Sequence, residues 1–328
     1  MSDEGSTQRL PPALIVAGPT ASGKSALALA LAEYLRGTII NADSMQVYRE
    51  LRILTARPTP ADEARVPHAL YGLRRAAEPG SVAWWRAAAL AAMRDSVASG
   101  RLPILCGGTG LYIAALTGGL AAIPDPGAPA RAEARHLLAT LGSAALHARL
   151  AAVDSLTAAR LRPQDSQRVA RAWEIWRGTG RGLAAWQGDR ATGTPRANFR
   201  FAAILLDPPR PALRAAIAGR FAAMLDQGAL GEAVALLAQQ LDPSLPAMRA
   251  HGVPELAAHL AGEMSLAEAA RRATLATGQY AKRQATWFRH HDMAGPSDTH
   301  TIHARFIDSA QFSERIWLEI LAFLDRAG

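Results

Sequence analysis

Short apolar runs alternate with helical patterns along the chain. Four runs are rich in β-branched residues or leucine, and each ends in glycine, cysteine or a residue just before aspartate: 13–18, 38–42, 102–106 and 201–206. A helical pattern follows the first run over Ser25 to Leu35, and another follows the third run after Gly110. Short buried strands that alternate with helices are typical of a parallel sheet with helices on both faces. The pattern therefore predicts an α/β core.

A different kind of segment separates the third and fourth predicted strands. It opens with a breaker run at 124–129, closes with a Gly/Thr/Pro-rich stretch at 188–195, and shows helical patterns but no strand between them. After Asp207 the pattern is helical to the end, apart from a proline- and histidine-containing stretch at 292–303. We predict a disordered tail, a core in two stretches and a helical insertion domain, with bounds 1–12, 13–125 with 200–328, and 126–199.

Composition narrows the class of protein. With 328 residues, 49% of them hydrophobic and 20% charged, the chain can bury a sizeable core. The single cysteine, Cys106, excludes an intramolecular disulfide and a cysteine-based zinc cluster. No apolar run approaches the roughly 20 residues that a membrane span needs, and the first residues are polar and partly acidic, unlike a signal peptide. We expect a cytoplasmic protein.

The net charge points to an anionic partner. Lys and Arg number 36 against 28 acids, for a net charge of +8. Only Lys24 and Lys282 are lysines, and arginine-favouring codons explain much of this bias. The segment 126–200 nevertheless contains 12 arginines and 5 acids, a balance of +7. A basic segment of this kind favours a polyanion such as RNA.

One motif carries specific chemistry. Residues 18–25 fit G-x-x-x-x-G-K-[ST] between a predicted strand and a predicted helix, which is the context a phosphate-binding P-loop requires. Its amides and the helix N-terminus surround phosphates, Lys24 reaches the terminal phosphate oxygens, and Ser25 can ligate magnesium. The fold class is therefore a P-loop NTPase-like parallel sheet, with a phosphate site formed by Gly18, Pro19, Thr20, Ala21, Ser22, Gly23, Lys24 and Ser25.

The motif does not identify the phosphate compound. ATP is the default, but any diphosphate fits the loop. The third predicted strand ends in Cys106-Gly-Gly, with no acid of Walker-B type, which weakens an ATPase interpretation. A small-molecule kinase and a non-catalytic RNA-binding module remain as alternatives at this point.

Four further segments resemble one family. The runs Asn41 to Arg49 (NADSMQVYR), Gly107 to Tyr112 (GGTGLY), Asp165 to Glu174 with Thr179-Gly-Arg181, and Ala281 to Arg289 (AKRQATWFR) follow one another as in the tRNA dimethylallyltransferases, also called tRNA isopentenyltransferases. Together with the P-loop, the matches span roughly residues 13 to 290. The chain resembles that family over almost its whole length.

The resemblance implies an enzyme and its substrates. Members of this family transfer the dimethylallyl group of dimethylallyl diphosphate, held by the P-loop in place of ATP, to the exocyclic amine (N6) of the adenosine immediately 3′ of the anticodon, at position 37 of tRNA. We therefore expect a monomeric tRNA-modifying transferase that uses Mg²⁺, held in part by Ser25. Diphosphate is the expected second product.

The resemblance also implies residue roles. Asp43 matches the general base, with a cap of a helix beginning at Ser44 as the alternative. Lys24, Ser25 and the amides of residues 20–23 would stabilise the diphosphate, and Arg220 matches an arginine that also reaches it, with an ordinary solvated arginine as the alternative.

Contact with tRNA is implied for fourteen positions. The alternative for Thr109 is a cap in a glycine-rich turn, and for the arginines a solvated helix face. Trp287 and Phe288 suit an RNA groove or the core equally, whereas His290-His291 is expected at the surface without a metal. The implied contacts are Asp43, Ser44, Met45, Gln46, Thr109, Gln167, Arg168, Val169, Ala170, Arg171, Arg249, Lys282, Arg283 and Gln284.

The chain departs from the family pattern around the expected reaction centre. These changes leave Asp43, Lys24 and Ser25 intact, so they bear on loop positions and RNA affinity more than on the chemistry. The departures are Glu50, Arg52, Leu54, Arg57, Ala216 and Val253-Pro254.

Overall fold

The core of the protein is a single parallel sheet. The computed structural model describes residues 10–189, 193–307 and 314–327, so residues 1–9 of the expected tail lie outside the described residues. The strands in this part are β1 (Pro12–Ala17), β2 (Gly37–Asn41), β3 (His68–Ala69), β4 (Leu102–Gly107), β5 (Arg200–Leu206) and β6 (Thr299–Ile302). They pair in the order β3-β2-β4-β1-β5-β6, all in parallel. The predicted fold class is confirmed.

The four central strands coincide with the four predicted apolar runs, while the two edge strands were not predicted. β3 has only two residues, both half-buried. β6 pairs with β5 alone, and three of its four residues, Thr299, His300 and Thr301, are polar. It lies in the stretch 292–303 that the sequence marks as an interruption of the helices. Short polar edge strands carry no apolar run, because only one of their sides is paired and their faces are partly solvated.

Helices cover both faces of the sheet, so its central strands are buried on both sides. On β1, Ala13, Ile15 and Ala17 belong to one apolar cluster, and Leu14 and Val16 to the other. The helices of this unit are α1 (Lys24–Tyr34), α2 (Pro60–Arg65), α3 (Val82–Ala98), α4 (Gly110–Thr117), and, after the insertion described next, α9 (Arg210–Asp226), α10 (Ala229–Leu237), α11 (Val253–Leu260), α12 (Leu266–Arg289) and α13 (Glu314–Ala327).

The segment 118–196 forms a second compact unit, and 1–117 with 197–328 form the first. Its helices are α5 (Gly127–Val153), broken at Gly142, α6 (Ser155–Ala158), α7 (Ser166–Thr179) and α8 (Leu183–Gly188). A small core of its own includes Leu146, Leu150 and Val169. The unit begins eight residues before the predicted 126 and ends three residues before the predicted 199.

The topology collects four chain segments at one edge of the sheet. The carboxyl ends of β1, β2, β4 and β5 lead into the phosphate loop, Asp43, the second glycine loop at 107–110 and Asp207, respectively. This is the edge at which parallel α/β sheets bind ligands. Among the described residues, no helix is both long and apolar enough to span a membrane.

Candidate active site

The phosphate loop has the backbone conformation that its glycines permit. Gly23 precedes α1 with φ +92°, a left-handed value that favours glycine. A Cβ at this position would lie 1.8 Å from the carbonyl oxygen of Phe306, so the neighbouring chain also excludes a side chain. The first amides of α1 have no acceptor within their own helix and are oriented to bind an anion.

Two loop amides are already used within the protein. The Thr20 N–H donates to Gln284 Oε1 at 2.8 Å, and the Ser22 N–H donates to Pro19 O at 3.2 Å. These bonds hold the shape of the loop. The binding of a diphosphate by the amides of residues 20–23 stays a prediction.

Lys24, Arg220 and Asp43 come together in one cavity. The side chains line a pocket of about 370 Å³ with Ser25 at the phosphate loop. Burial lowers the pKa of Lys24, and the charge of Asp43 opposes that shift. Burial likewise lowers the pKa of Arg220, again opposed by Asp43. One carboxylate is thus within electrostatic reach of two cations that the sequence separates by almost 200 residues.

The loop after β2 holds Asp43 rigidly. Asp43 Oδ1 accepts from the Met45 N–H at 2.9 Å, and the Asp43 N–H donates to Asn41 Oδ1 at 2.8 Å. Asn41 in turn donates to Asp43 O and to Leu70 O at 3.0 and 3.1 Å. The alternative of a helix cap is wrong, because residues 44–50 form turns and no helix begins at Ser44. Asp43 therefore closes a short turn and faces the cavity.

Thr109 joins the second glycine loop to the Asp43 loop. Its Oγ1 accepts from the Ser44 N–H at 2.9 Å and lies 3.3 Å from Ser44 Oγ, while its N–H donates to Ala42 O at 3.2 Å. A Cβ on Gly107 would meet the Ala42 carbonyl at 2.1 Å, so these loops touch backbone to backbone. Thr109 thus lies beside Asp43, and its side chain bonds across to another loop instead of capping its own turn.

Gln284 is a structural bridge. Its side chain is only 5% exposed. Oε1 accepts from the Thr20 N–H, and Nε2 donates to Gly108 O at 3.0 Å. Both ends of this amide are engaged by the two glycine loops, and the contact with tRNA that the resemblance implies stays a prediction. The side chain of Val169, another residue of that prediction, is fully buried in the core of the second unit.

Sequence reasoning missed three titratable residues of the cavity. Tyr280, His251 and Arg305 line it together with Asp43 and the phosphate loop. The rings of Tyr280 and His251 are 5.0 Å apart, and burial lowers the pKa of His251. Tyr280 lies two residues before Lys282 and could have been found from its motif. Arg305 follows β6, where no sequence pattern marks it.

The position of an acid after β4 is taken by a thiol. Burial raises the pKa of Cys106 to about 11, while nearby Lys24 and a hydrogen bond with Ser25 act in the opposite direction. Among the described residues, no group of three or more histidine, cysteine or acidic side chains could hold a metal ion. Ser25 lies at the end of the phosphate loop and carries a hydroxyl oxygen. At phosphate sites Mg²⁺ commonly has few protein ligands, and phosphate oxygens and waters supply the others.

The comparisons with known proteins bear on this geometry. A model of the family described as IPP transferase matches residues 46–291. The chain belongs to the IPP transferase family. Relatives named tRNA dimethylallyltransferase include the protein of Granulibacter bethesdensis, 62% identical over 95% of this chain and 97% of the relative. That of Acidiphilium cryptum is 61% identical over 96% of this chain and 95% of the relative. The resemblance and the prediction of an enzyme are confirmed.

Solved structures share the fold. The full-length tRNA isopentenylpyrophosphate transferase of Bacillus halodurans is 30% identical, with a TM-score of 0.66 over 96% of this chain and 97% of that chain. A eukaryotic dimethylallyltransferase acting on tRNA has a TM-score of 0.77 over 95% of this chain and 78% of that chain. At 24% identity the second likeness concerns the fold alone.

The other predicted RNA contacts of this IPP transferase lie in two places. In the first unit, Arg249, Lys282 and Arg283 are exposed, and the Arg283 guanidinium lies 5.6 Å from the Tyr280 ring centre. The half-buried Gln46 donates to Thr55 O and Ala56 O, both at 2.9 Å, and so holds the cavity wall. Ser44 and Met45 are also half-buried, beside Asp43.

In the second unit, α7 presents Gln167, Arg168 and Arg171 to solvent, while Ala170 is half-buried. Arg168 pairs with Asp165 at 3.4 Å and Arg171 with Glu174 at 2.9 Å. Both pairs are local and exposed, so they contribute little to stability.

Two aromatic alternatives are decided by burial. Phe288 is 5% exposed and belongs to the core, whereas Trp287 is half-buried and stacks on His291 with ring centres 4.3 Å apart. His290 and His291 are both exposed, as expected.

The departures from the family pattern have local partners. Glu50 accepts from the Ala76 N–H at 2.8 Å, and Arg52 pairs with Glu63 at 3.2 Å. Arg57 donates to Arg49 O, and the side chains of Leu54 and Val253 are buried. Ala216 lines the cavity, and Pro254 lies in the first turn of α11.

Replacing Gln284 by leucine should destabilise the protein. The variant leaves Thr20 N–H and Gly108 O buried without partners, at about 1 to 3 kcal/mol each. We expect lower stability in urea unfolding and a higher KM for dimethylallyl diphosphate. Gln279→Leu, the same substitution at an exposed position of α12, is the matched control and should keep the stability of the wild type. Unchanged stability with a defect in tRNA binding alone would restore the RNA contact.

Lys24→Arg should fail to rescue what Lys24→Ala loses. The loop surrounds a half-buried point charge whose Nζ lies 3.5 Å from Pro19 O, and a planar guanidinium is larger and approaches differently. Titration with inorganic diphosphate should show weak binding by both variants. Wild-type affinity in Lys24→Arg would mean that the loop does not require a lysine at this position.

Proposed function

We propose that this IPP transferase transfers the dimethylallyl group of dimethylallyl diphosphate to N6 of the adenosine immediately 3′ of the anticodon, position 37 of tRNA, with release of diphosphate. The observation that carries the proposal is the cavity in which Asp43 lies with Lys24, Ser25 and Arg220. It combines a base for an amine with cations for a diphosphate leaving group. The relatives named tRNA dimethylallyltransferase support the same reaction.

The reaction balances on these residues. The N6 lone pair forms a bond to C1 of the dimethylallyl group as the C1–O bond breaks, and its electron pair leaves with the diphosphate. Lys24, Arg220 and the phosphate-loop amides stabilise the negative charge that develops on the leaving oxygen. Asp43 takes the proton that N6 loses, because a carboxylate held in place is a suitable general base.

Magnesium is part of the proposal. Ser25 would hold the ion together with oxygens of the diphosphate, and the ion would share the charge of the leaving group. Ser25 is an exposed residue at the start of α1, and the thiol of Cys106 adds no negative charge beside it near neutral pH. No acidic cluster is needed for such a site, since the substrate supplies most of the ligands.

The tRNA would be bound by positive surfaces of each unit. Exposed Lys282 and Arg283 on α12 suit the RNA backbone, and Tyr280 in the cavity suits a base. In the second unit, Arg168 and Arg171 are exposed for phosphate contacts with the anticodon stem-loop. We extend the proposal to a monomeric enzyme acting in the cytoplasm.

Asp43→Asn should slow prenyl transfer by about 10² to 10⁴, the usual scale for removal of a general base. Asparagine keeps an oxygen for the Met45 N–H, so both substrates should still bind. The measurement is a single-turnover assay with magnesium, unmodified tRNA and dimethylallyl diphosphate, followed by mass spectrometry of nucleosides. Exposed Asp95 on α3 provides the charge-matched control, Asp95→Asn. Near-normal turnover by Asp43→Asn would reduce Asp43 to a residue that shapes its loop.

Replacing Arg168 and Arg171 together by alanine should raise the KM for tRNA. Each phosphate contact contributes a log–log salt slope of about 0.7 to 0.9, so two lost contacts flatten the slope by roughly one to two. The control is Arg135→Ala with Arg149→Ala, two exposed arginines of α5 with the same change in net charge. We expect affinity for dimethylallyl diphosphate to stay unchanged in both. Equal slopes for the two double variants would reduce the α7 arginines to general positive charge.

A further inference from the structure

The segment after β6 lies against the outer side of the phosphate loop. The Phe306 N–H donates to Ser22 O at 3.0 Å, and Arg305 Nε donates to Ala21 O at 2.9 Å. Phe306 is 2% exposed and belongs to the apolar cluster beneath α1. Two consecutive residues from near the end of the chain are therefore held to consecutive carbonyls of the loop.

Arg305 also lines the cavity. Arg305 is half-buried and lines the same pocket as Lys24, Ser25 and Arg220. Within 10–189, 193–307 and 314–327, no ion pair with a carboxylate occupies it, whereas Arg289 binds both oxygens of Asp207. Its Nε bond leaves the two Nη groups of the fork for another acceptor.

The charges of the cavity call for an anion. Lys24, Arg220 and Arg305 are its cationic side chains, and Asp43 is its acidic one. Gathering three cations costs desolvation and mutual repulsion unless an anion joins them. A fork already fixed through Nε loses little rotamer freedom when it binds phosphate oxygens in a bidentate manner.

We propose that Arg305 is a third cation for the diphosphate of the prenyl donor, supplied by the segment after β6. This inference rests on the proposed function. Arg305 contacts non-bridging oxygens of the diphosphate, opposite the amides of the phosphate loop. When the C1–O bond breaks and its electron pair passes to the diphosphate, the guanidinium stabilises the added charge, and it then holds the product until release.

The test is calorimetric titration of the full chain with inorganic diphosphate and with dimethylallyl diphosphate. Arg305→Gln should weaken both by about 10- to 100-fold, the range for loss of a hydrogen-bonded charge. Arg305→Lys should retain part of the affinity, because it keeps the charge. The KM for tRNA should be unchanged. Arg94→Gln, which removes an exposed arginine of α3, is the matched control and should bind as wild type does.

Salt dependence separates charge from loop shape. If Arg305 binds the anion, affinity for inorganic diphosphate falls less steeply with salt in Arg305→Gln than in wild type or Arg305→Lys. Equal losses in the Gln and Lys variants with an unchanged salt dependence would overturn the proposal and leave Arg305 as a support for Ala21. Wild-type affinity in Arg305→Gln would also overturn it. Failure of the wild-type protein to bind either diphosphate would instead refute the proposed function.

Discussion

The buried amide of Gln284 holds the two glycine loops of the site at a fixed separation. Its oxygen accepts a hydrogen bond from the Thr20 N–H and its nitrogen donates one to Gly108 O, so a shift of α12 would break both bonds. Leaving a buried polar group without a partner costs more free energy than a hydrogen bond contributes. The positions of the two loops relative to α12 are therefore strongly favoured over alternatives that break these bonds. The same helix carries exposed Lys282 and Arg283. The proposed RNA surface and the phosphate loop are thus positioned by one helix.

The cavity beside these two loops contains both cationic side chains and one carboxylate. Asp43 lies within electrostatic reach of both Lys24 and Arg220, and it reduces the cost of burying these cations while no ligand is bound. In the proposed reaction, an entering diphosphate would take over that role. The hydrogen bonds to Met45 and Asn41 keep Asp43 in place during the exchange. A carboxylate proposed both as a base and as a counter-ion needs such a fixed loop, because the cations on either side of it attract it.

Local sequence patterns predicted the features that depend on residues close together in the chain, and few others. The phosphate loop, the four central strands and the meeting of Asp43 with Lys24 follow from short motifs and from the rule that parallel strand ends share one edge. The burial of Gln284 and Val169 was not predicted, because a motif gives the identity of a residue without its burial. The edge strands β3 and β6, the ring pair of His251 and Tyr280, and Arg305 depend on contacts distant in sequence, which one sequence without its fold does not reveal.

The thiol of Cys106 near the end of β4 distinguishes this site from a nucleotide-binding phosphate loop that has an acidic residue at the corresponding position. An aspartate at that point would place a negative charge beside Lys24 and Ser25. With its pKa raised to about 11, Cys106 stays neutral near pH 7 and can share a hydrogen bond with Ser25. Strand β4 therefore contributes no negative charge beside Ser25, and the acidic side chain of the cavity is Asp43, from the loop after β2. This arrangement suits the proposed reaction, in which the carbon–oxygen bond of the prenyl donor breaks and the added negative charge collects on one diphosphate.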